Sequence, residues 1–327
     1  MVTHWVHPEV AARLAEFCRP VTPSPEEGVW PSSEVRARAR HAAALVVCMA
    51  DRVDERLLLA CPRLRVVSGA LKGHDTIDVP ACTRRGAWVT VLPDLLTVPT
   101  AELVVALMLA VMRRIAEGDA HVRSGRHAGW RPQLYGTGLA GATVGIIGMG
   151  RLGRAVARRV RAFDARVVYC DPRPLPDACA GELAARRVPL PELLKASDVV
   201  VPLVPLAEPT RHLLGAGALG LLRPGAFVVN AGRGSVVDEQ AVAAALEAGR
   251  LGGYAADVFA FEDQRSPDRP AGIPERLLAH PRTVFTPHLG SAVDEVRREM
   301  GLAVAGQVRQ ALAGQRPDGA VNDIGSR

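Results

Sequence analysis

Two hydrophobic rhythms alternate along the chain. Short apolar runs stand at 44–48, 64–68, 88–91, 142–147, 165–170, 196–206, 227–230, 254–259 and 284–286. Runs of this kind, bounded mostly by Gly, Pro, Asn or Asp, predict strands buried on both faces. Between them, apolar residues recur at helical spacing over 7–18, 34–43, 54–60, 154–160, 238–248 and 291–312. Ser32-Ser33 and Asp238 supply capping signals, and Thr210 is placed to cap a short helix after 196–206. Pro99-Thr100 opens a stretch without a breaker to Met112, which predicts a long, well-buried helix.

Strict alternation of strand and helix from 141 to 290 calls for a parallel sheet with helices on both faces. A smaller α/β unit precedes it. The expected organisation is 1–98, 99–290 and 291–327, two domains of ordinary size for 327 residues. At 48% hydrophobic but only 4% aromatic, the cores must be filled by Ala, Val and Leu.

The net charge of +6 is spread among acids, a poor nucleic-acid signature but a favourable field for small anions. No apolar run reaches the ~18 residues of a membrane span. The N-terminus lacks the basic start and apolar core of a signal peptide. Cys18, Cys48, Cys61, Cys82, Cys170 and Cys179 show neither CxxC nor metal-ligand spacing. These features predict a cytoplasmic protein with free thiols, no metal, no membrane and no nucleic-acid partner.

The most informative stretch is Gly148-Met149-Gly150-Arg151-Leu152-Gly153, entered by an apolar run and left by an amphipathic one. Strand, G-x-G-x-x-G and helix together form a dinucleotide-binding turn. Gly148 makes the turn, Gly150 admits the pyrophosphate, and Gly153 lets helix and strand approach. The next apolar run ends in Asp171, placed to accept from ribose hydroxyls, which favours NAD. Arg173 softens the repulsion of a 2′-phosphate, so some NADP use is expected.

Other chemistry-bearing residues stand just past predicted strand ends: Arg233, Asp257 with Glu262, and His288. Open α/β sheets bind ligands at that edge. Arginine offers a two-pronged donor to an oxyanion, histidine exchanges a proton near neutral pH, and a glutamate beside it orients the ring.

These residues, with Val201-Pro202-Leu203, Asn230-Ala231-Gly232-Arg233-Gly234, Asp257-Val258-Phe259 and Pro287-His288-Leu289-Gly290, make the chain resemble the D-isomer-specific 2-hydroxyacid dehydrogenases over nearly its whole length. The resemblance implies an α/β fold of two Rossmann-like, doubly wound domains. One is a discontinuous substrate domain and the other an inserted NAD-binding domain, with the cofactor in the cleft. It implies a catalytic set of Arg233, Glu262 and His288, with Asp257 near the nicotinamide. Cofactor contacts would come from the glycine loop, Pro205, Asp257 and His288, in a homodimer.

Within the family, the stretches Met49-Ala50-Asp51-Arg52-Val53-Asp54, Ala70-Leu71-Lys72-Gly73-His74-Asp75 and Pro93-Asp94-Leu95-Leu96-Thr97-Val98-Pro99-Thr100 resemble the phosphite (phosphonate) dehydrogenases. That resemblance implies a phosphite site made by Lys72 and Arg233, backbone groups of Leu71 to Gly73, and Met49. Ser291 and Arg297, on the following helix, would support it, and Trp130 and Tyr135 would reach a neighbouring subunit's site. A second cation suits a dianion better than a carboxylate. The expected reaction is water attack on phosphorus with hydride transfer to NAD, His288 serving as base. His74, Ala231-Gly232 and the short N-terminus depart from that pattern. The alternatives are an ordinary D-2-hydroxyacid dehydrogenase of the glyoxylate or hydroxypyruvate type, and a NAD-sensing corepressor-like binding protein.

Overall fold

Among the residues described by the computed structural model, 1–264, 266 and 268–325, ten strands form two all-parallel sheets. The chain divides into two units, 1–96 with 291–327, and 97–290.

The first unit holds β1 (Ala44–Val47), β2 (Val66–Gly69) and β3 (Trp88–Thr90), side by side in that order. Residues 1–3 run along β1, with Thr3 N–H donating to Val46 O at 3.0 Å and Val46 N–H to Met1 O at 2.9 Å. Side chains alternate across the sheet. Leu45, Val47, Val67 and Val89 pack on one face with Val35, Leu57, Leu58 and Ile77. Val46 and Val66 pack on the other with Val10, Leu14, Met300, Val304 and Val308. Burial on both faces explains why these strands read as continuous apolar runs. Buried Gln307, on the Asp294–Leu312 helix, accepts from Ser68 and Thr90 and donates to Val91 O. These three bonds tie the last helix to the N-terminal sheet.

The second unit holds β4 (Thr143–Ile147), β5 (Arg166–Cys170), β6 (Ala185–Arg187), β7 (Val199–Pro202), β8 (Ala226–Asn230), β9 (Leu251–Ala256) and β10 (Thr283–Phe285). Their spatial order is β10-β9-β8-β7-β4-β5-β6. The Thr97–Met112 and Arg151–Arg161 helices cover one face through Val104, Met108, Val156 and Val160. Leu193, Leu194, Leu214, Val242 and Leu246 cover the other. The order of winding reverses between β4 and β7, the place where doubly wound sheets open a crevice.

Several predicted elements change. The helix expected over 34–43 is α-helical only over Ser32–Arg38, continues as a 3₁₀ turn to His41, and takes Pro31 rather than a serine at its N-cap. The last helix begins at Asp294, so Ser291 lies in the preceding turn. Thr210 closes a 3₁₀ turn over Glu208–Thr210, and the next helix, Ala216–Leu221, opens at Gly215 instead. Helices Val79–Arg84, Ile115–Arg123, Asp177–Leu183 and Leu190–Ala196, and strand β6, carry too few apolar residues for a period to show. The loop expected over 263–274 includes residues 265 and 267, which lie outside those described.

Candidate active site

Parallel strands bring all their C-terminal ends to one edge. Across the second unit's sheet, that edge presents His288 beyond β10, Asp257 at β9, Arg233 beyond β8, Pro205 beyond β7, the glycine loop beyond β4 and Asp171 at β5.

Each loop glycine answers a different demand. Gly148 has φ +96°, and a Cβ there would lie 2.8 Å from Leu203 O. A Cβ on Gly153 would lie 2.3 Å from Gly148 O. Gly150 faces open space and is the N-cap of the Arg151–Arg161 helix, with no side chain capping it. The first-turn N–H groups, including those of Leu152 and Gly153, are therefore available to phosphate oxygens at the positive end of the helix dipole. Asp171 Oδ2 accepts Met149 N–H at 2.8 Å and its Oδ1 accepts Arg173 N–H at 2.8 Å. Arg187, from β6, donates to the carbonyls of Asp171 and Pro172 at 2.9–3.1 Å. Its place beside Asp171 is set by sheet pairing and has no local sequence signal. These features fit a dinucleotide: open backbone donors for the pyrophosphate and a carboxylate next to them for the ribose.

At the other end of the edge, His288 Nδ1–H donates to Glu262 Oε2 at 2.6 Å. An ionised carboxylate only accepts, so the proton of this bond sits on Nδ1 and Nε2 is left for a reacting group. Glu262 Oε1 accepts Phe259 N–H at 2.9 Å, which anchors the carboxylate to the 3₁₀ turn Ala260–Glu262. His288 has φ +55°, an uncommon conformation for a residue with a Cβ. Buried Asp257 holds it there: its carboxylate accepts from Thr286 Oγ1 at 2.6 Å, Leu289 N at 2.6 Å and Gly290 N at 2.9 Å. Burial pushes the Asp257 carboxyl above its ordinary pKa, against those three donors. These three bonds make the carboxylate the clamp of the 286–290 loop.

Arg233 begins the 3₁₀ turn Gly234–Val236, half-buried, with Nη1 on Gly232 O at 3.0 Å. Asn230, fully buried, shapes this turn by accepting Gly232 N–H and donating to Arg233 O. The Arg233 and Glu262 turns are fastened together. A Cβ on Gly234 would lie 1.9 Å from Phe259 C, Ser235 N–H donates to Asp263 Oδ2 at 2.7 Å, and Ala260 N–H donates to Glu239 Oε1 at 2.8 Å. Burial pushes Glu239 up to about 7, helped by the nearby acids. Sequence reasoning missed Asn230, Gly234, Glu239, Asp263 and Thr286 as site-builders. For Asn230 and Gly234 the signal was their place in the Arg233 stretch; the others act through long-range bonds.

The predicted residues of the first unit stand at its strand ends. Met49 is half-buried in the turn after β1, which Asp51 closes by accepting Cys48 N–H at 2.7 Å. Leu71 is buried against Gly69, so only its backbone remains for a ligand. Lys72 is exposed and Gly73 half-buried in the turn beyond β2. Ser291 Oγ accepts from Arg297 at 3.4 Å. Trp130 and Tyr135, in the second unit, are 81% and 74% exposed. Among the described residues no cluster of His, Cys, Asp and Glu could hold a metal, and no helix is long and apolar enough to cross a membrane.

Residues 105–290 match the D-isomer specific 2-hydroxyacid dehydrogenase NAD binding domain. The chain is 38% identical over 297 residues to a glyoxylate reductase of Thermococcus litoralis, covering 89% of this chain and 87% of that one. It is 37% identical over 332 residues to a glyoxylate reductase of Aeropyrum pernix, covering 98% and 95%. Among solved structures, an NADPH-dependent glyoxylate/hydroxypyruvate reductase of Sinorhizobium meliloti, in complex with NADP and malonate, superposes with a TM-score of 0.84. Its identity is 29%, over 100% of this chain and 97% of that one. An α/β fold with an NAD-binding domain, a glycine loop backed by Asp171 and these relatives lead to one conclusion: the chain belongs to the D-isomer specific 2-hydroxyacid dehydrogenase family.

Proposed function

We propose that this oxidoreductase interconverts a small 2-oxo acid, of the glyoxylate or hydroxypyruvate kind, and its D-2-hydroxy acid. The observation that carries the reading is the Glu262–His288 pair, fixed on the same sheet edge as Arg233 and the glycine loop. Bound nicotinamide cofactor supplies the hydride acceptor or donor. Arg233 holds the substrate carboxylate with parallel N–H donors. His288 Nε2 takes the hydroxyl proton during oxidation and returns it to the carbonyl oxygen during reduction. Glu262 keeps the ring oriented through its bond to Nδ1–H. Asp257 holds the His288 loop. The names of the relatives support this substrate class. Assembly as a homodimer, with Trp130 and Tyr135 contributed to a neighbouring copy, is part of the same proposal.

A second reading, oxidation of phosphite to phosphate, rests on Lys72 and the stretches around it. Here Arg233 holds the oxyanion and His288 accepts a proton from the attacking water. The P–H hydrogen leaves as hydride, and water supplies the new oxygen.

Nicotinamide absorbance followed with glyoxylate and hydroxypyruvate in one direction, and D-glycerate and phosphite in the other, separates these readings. Turnover of the organic acids is the expected result. Turnover of phosphite alone replaces it with the second reading. Cofactor binding without turnover of any of them assigns a NAD-sensing role.

A further inference from the structure

The first unit contains a cavity of about 330 Å³, and of the residues named above for the substrate site only Arg297 lines it. Its walls come from the 1–7 segment, the Pro8–Ala15 helix and the first turns of the Asp294–Leu312 helix. Most of the lining is aliphatic: Val6, Val10, Leu14, Met300 and Val304. Four polar side chains interrupt it, and two of them, His7 and Asp294, pair with each other at 2.9 Å. His4 is 6% exposed, and its Nδ1 has no hydrogen-bond partner among the described residues. Arg297 is half-buried, and among the described residues its hydrogen bonding is limited to the long contact to Ser291 Oγ.

The carboxylates in and beside this wall are engaged by groups other than Arg297. Asp294 takes His7 at 2.9 Å and Arg298 at 3.0 Å. Asp51 accepts from Thr3 Oγ1 and Cys48 N–H. A guanidinium withdrawn from water without a counter-ion, beside an unpartnered imidazole, is costly unless something completes it. An oxyanion with an apolar body completes both halves of the wall.

We propose that this cavity is a second ligand site, taking a short aliphatic monocarboxylate with its carboxylate on Arg297 and its hydrocarbon end against Val10, Leu14 and Met300. A carboxylate matches the guanidinium fork, Asp294 in the same wall disfavours a second negative charge, and the volume lies at the small end of ligand pockets. The site is independent of the proposed reaction, because its ligand needs neither cofactor nor a 2-oxygen.

Isovalerate, which carries no 2-oxygen, is the probe. It is titrated into the cofactor-free protein labelled at its methionine methyl groups, followed by NMR. The expected result is saturable movement of the Met300 methyl, with the Met49 and Met149 methyls unmoved. Arg297→Gln should weaken binding about tenfold or more, since charged hydrogen bonds are lost. It should leave the fold intact, because it removes a poorly compensated charge. Val10→Phe, which fills the cavity, should abolish the Met300 response, and Arg233→Gln should leave it unchanged. Loss of binding in Arg233→Gln with retention in Arg297→Gln would move the ligand to the catalytic edge and overturn the proposal. Absence of saturable movement at Met300 in the folded wild-type protein would overturn it too.

Discussion

His288 Nδ1 and Glu262 Oε2 lie 2.6 Å apart, joining residues that follow two adjacent strands, β10 and β9. The pair fixes the tautomer and leaves Nε2 for chemistry. His288→Ala should lower kcat by about 10²–10⁴-fold, the usual worth of a positioned acid–base group. Glu262→Gln replaces the charge-assisted bond to Nδ1–H by a weaker neutral one, so kcat should fall by about tenfold or more with KM less affected. Steady-state kinetics check both, and near-normal turnover in His288→Ala would remove the acid–base assignment.

Arg233 is expected to act mainly through substrate binding. Arg233→Ala should raise KM for the acid by about 10²-fold or more, the loss of a charge-assisted pair. Arg233→Lys should restore only part of this, because an ammonium keeps the charge but not the fork. Equal KM values for the two variants would show that charge alone matters.

Gly234 is where the Arg233 and Glu262 turns touch. A Cβ would meet backbone atoms of Phe259 and Ala260 at 1.9–2.2 Å, and backbone cannot swing aside. Gly234→Ala should therefore destabilise the protein by about 1–3 kcal/mol or more, as overpacking does. It should also depress kcat by separating the two turns. Denaturant unfolding and kinetics measure the two effects, and a variant unchanged in both would contradict the contact.

Cofactor choice turns on Asp171. Asp171→Ala removes the carboxylate that repels a 2′-phosphate and leaves Arg173 and Arg187 nearby. The kcat/KM ratio of NADP to NAD should rise, on the order of tenfold or more. A fall in that ratio would show that Asp171 does not discriminate.

Glu239 links stability to pH. Its pKa rises to about 7 in the fold, above the ordinary carboxyl value, so the folded state keeps a proton that the unfolded chain releases. Stability due to this group is then fully present below the unfolded pKa and is lost as pH rises to about 7. Glu239→Gln keeps an acceptor for Ala260 N–H and carries no charge. It should gain on the order of 1 kcal/mol over wild type at pH ~8 and almost nothing at pH ~4.5. Chemical denaturation at the two pH values tests the sign, and a larger gain on the acid side would reverse it.

Much of the fold is legible in the order of the residues alone. Glycine spacing, apolar runs and polar residues at their ends are local features, and they carry the dinucleotide turn, Asp171, Arg233, Glu262 and His288. A strand-end position also implies a common edge, because parallel strands all finish there. What sequence could not carry is held by bonds between distant segments. The Asp257 clamp on His288, the Glu239 and Asp263 fastenings of two turns, Arg187 beside Asp171 and Gln307 under the N-terminal sheet all depend on long-range pairing. Short helices such as Val79–Arg84 and Asp177–Leu183 stayed hidden because one or two turns hold too few apolar residues to define a period. Local chemistry determined which groups the chain offers; tertiary pairing decided which of them are clamped, buried or left facing a ligand.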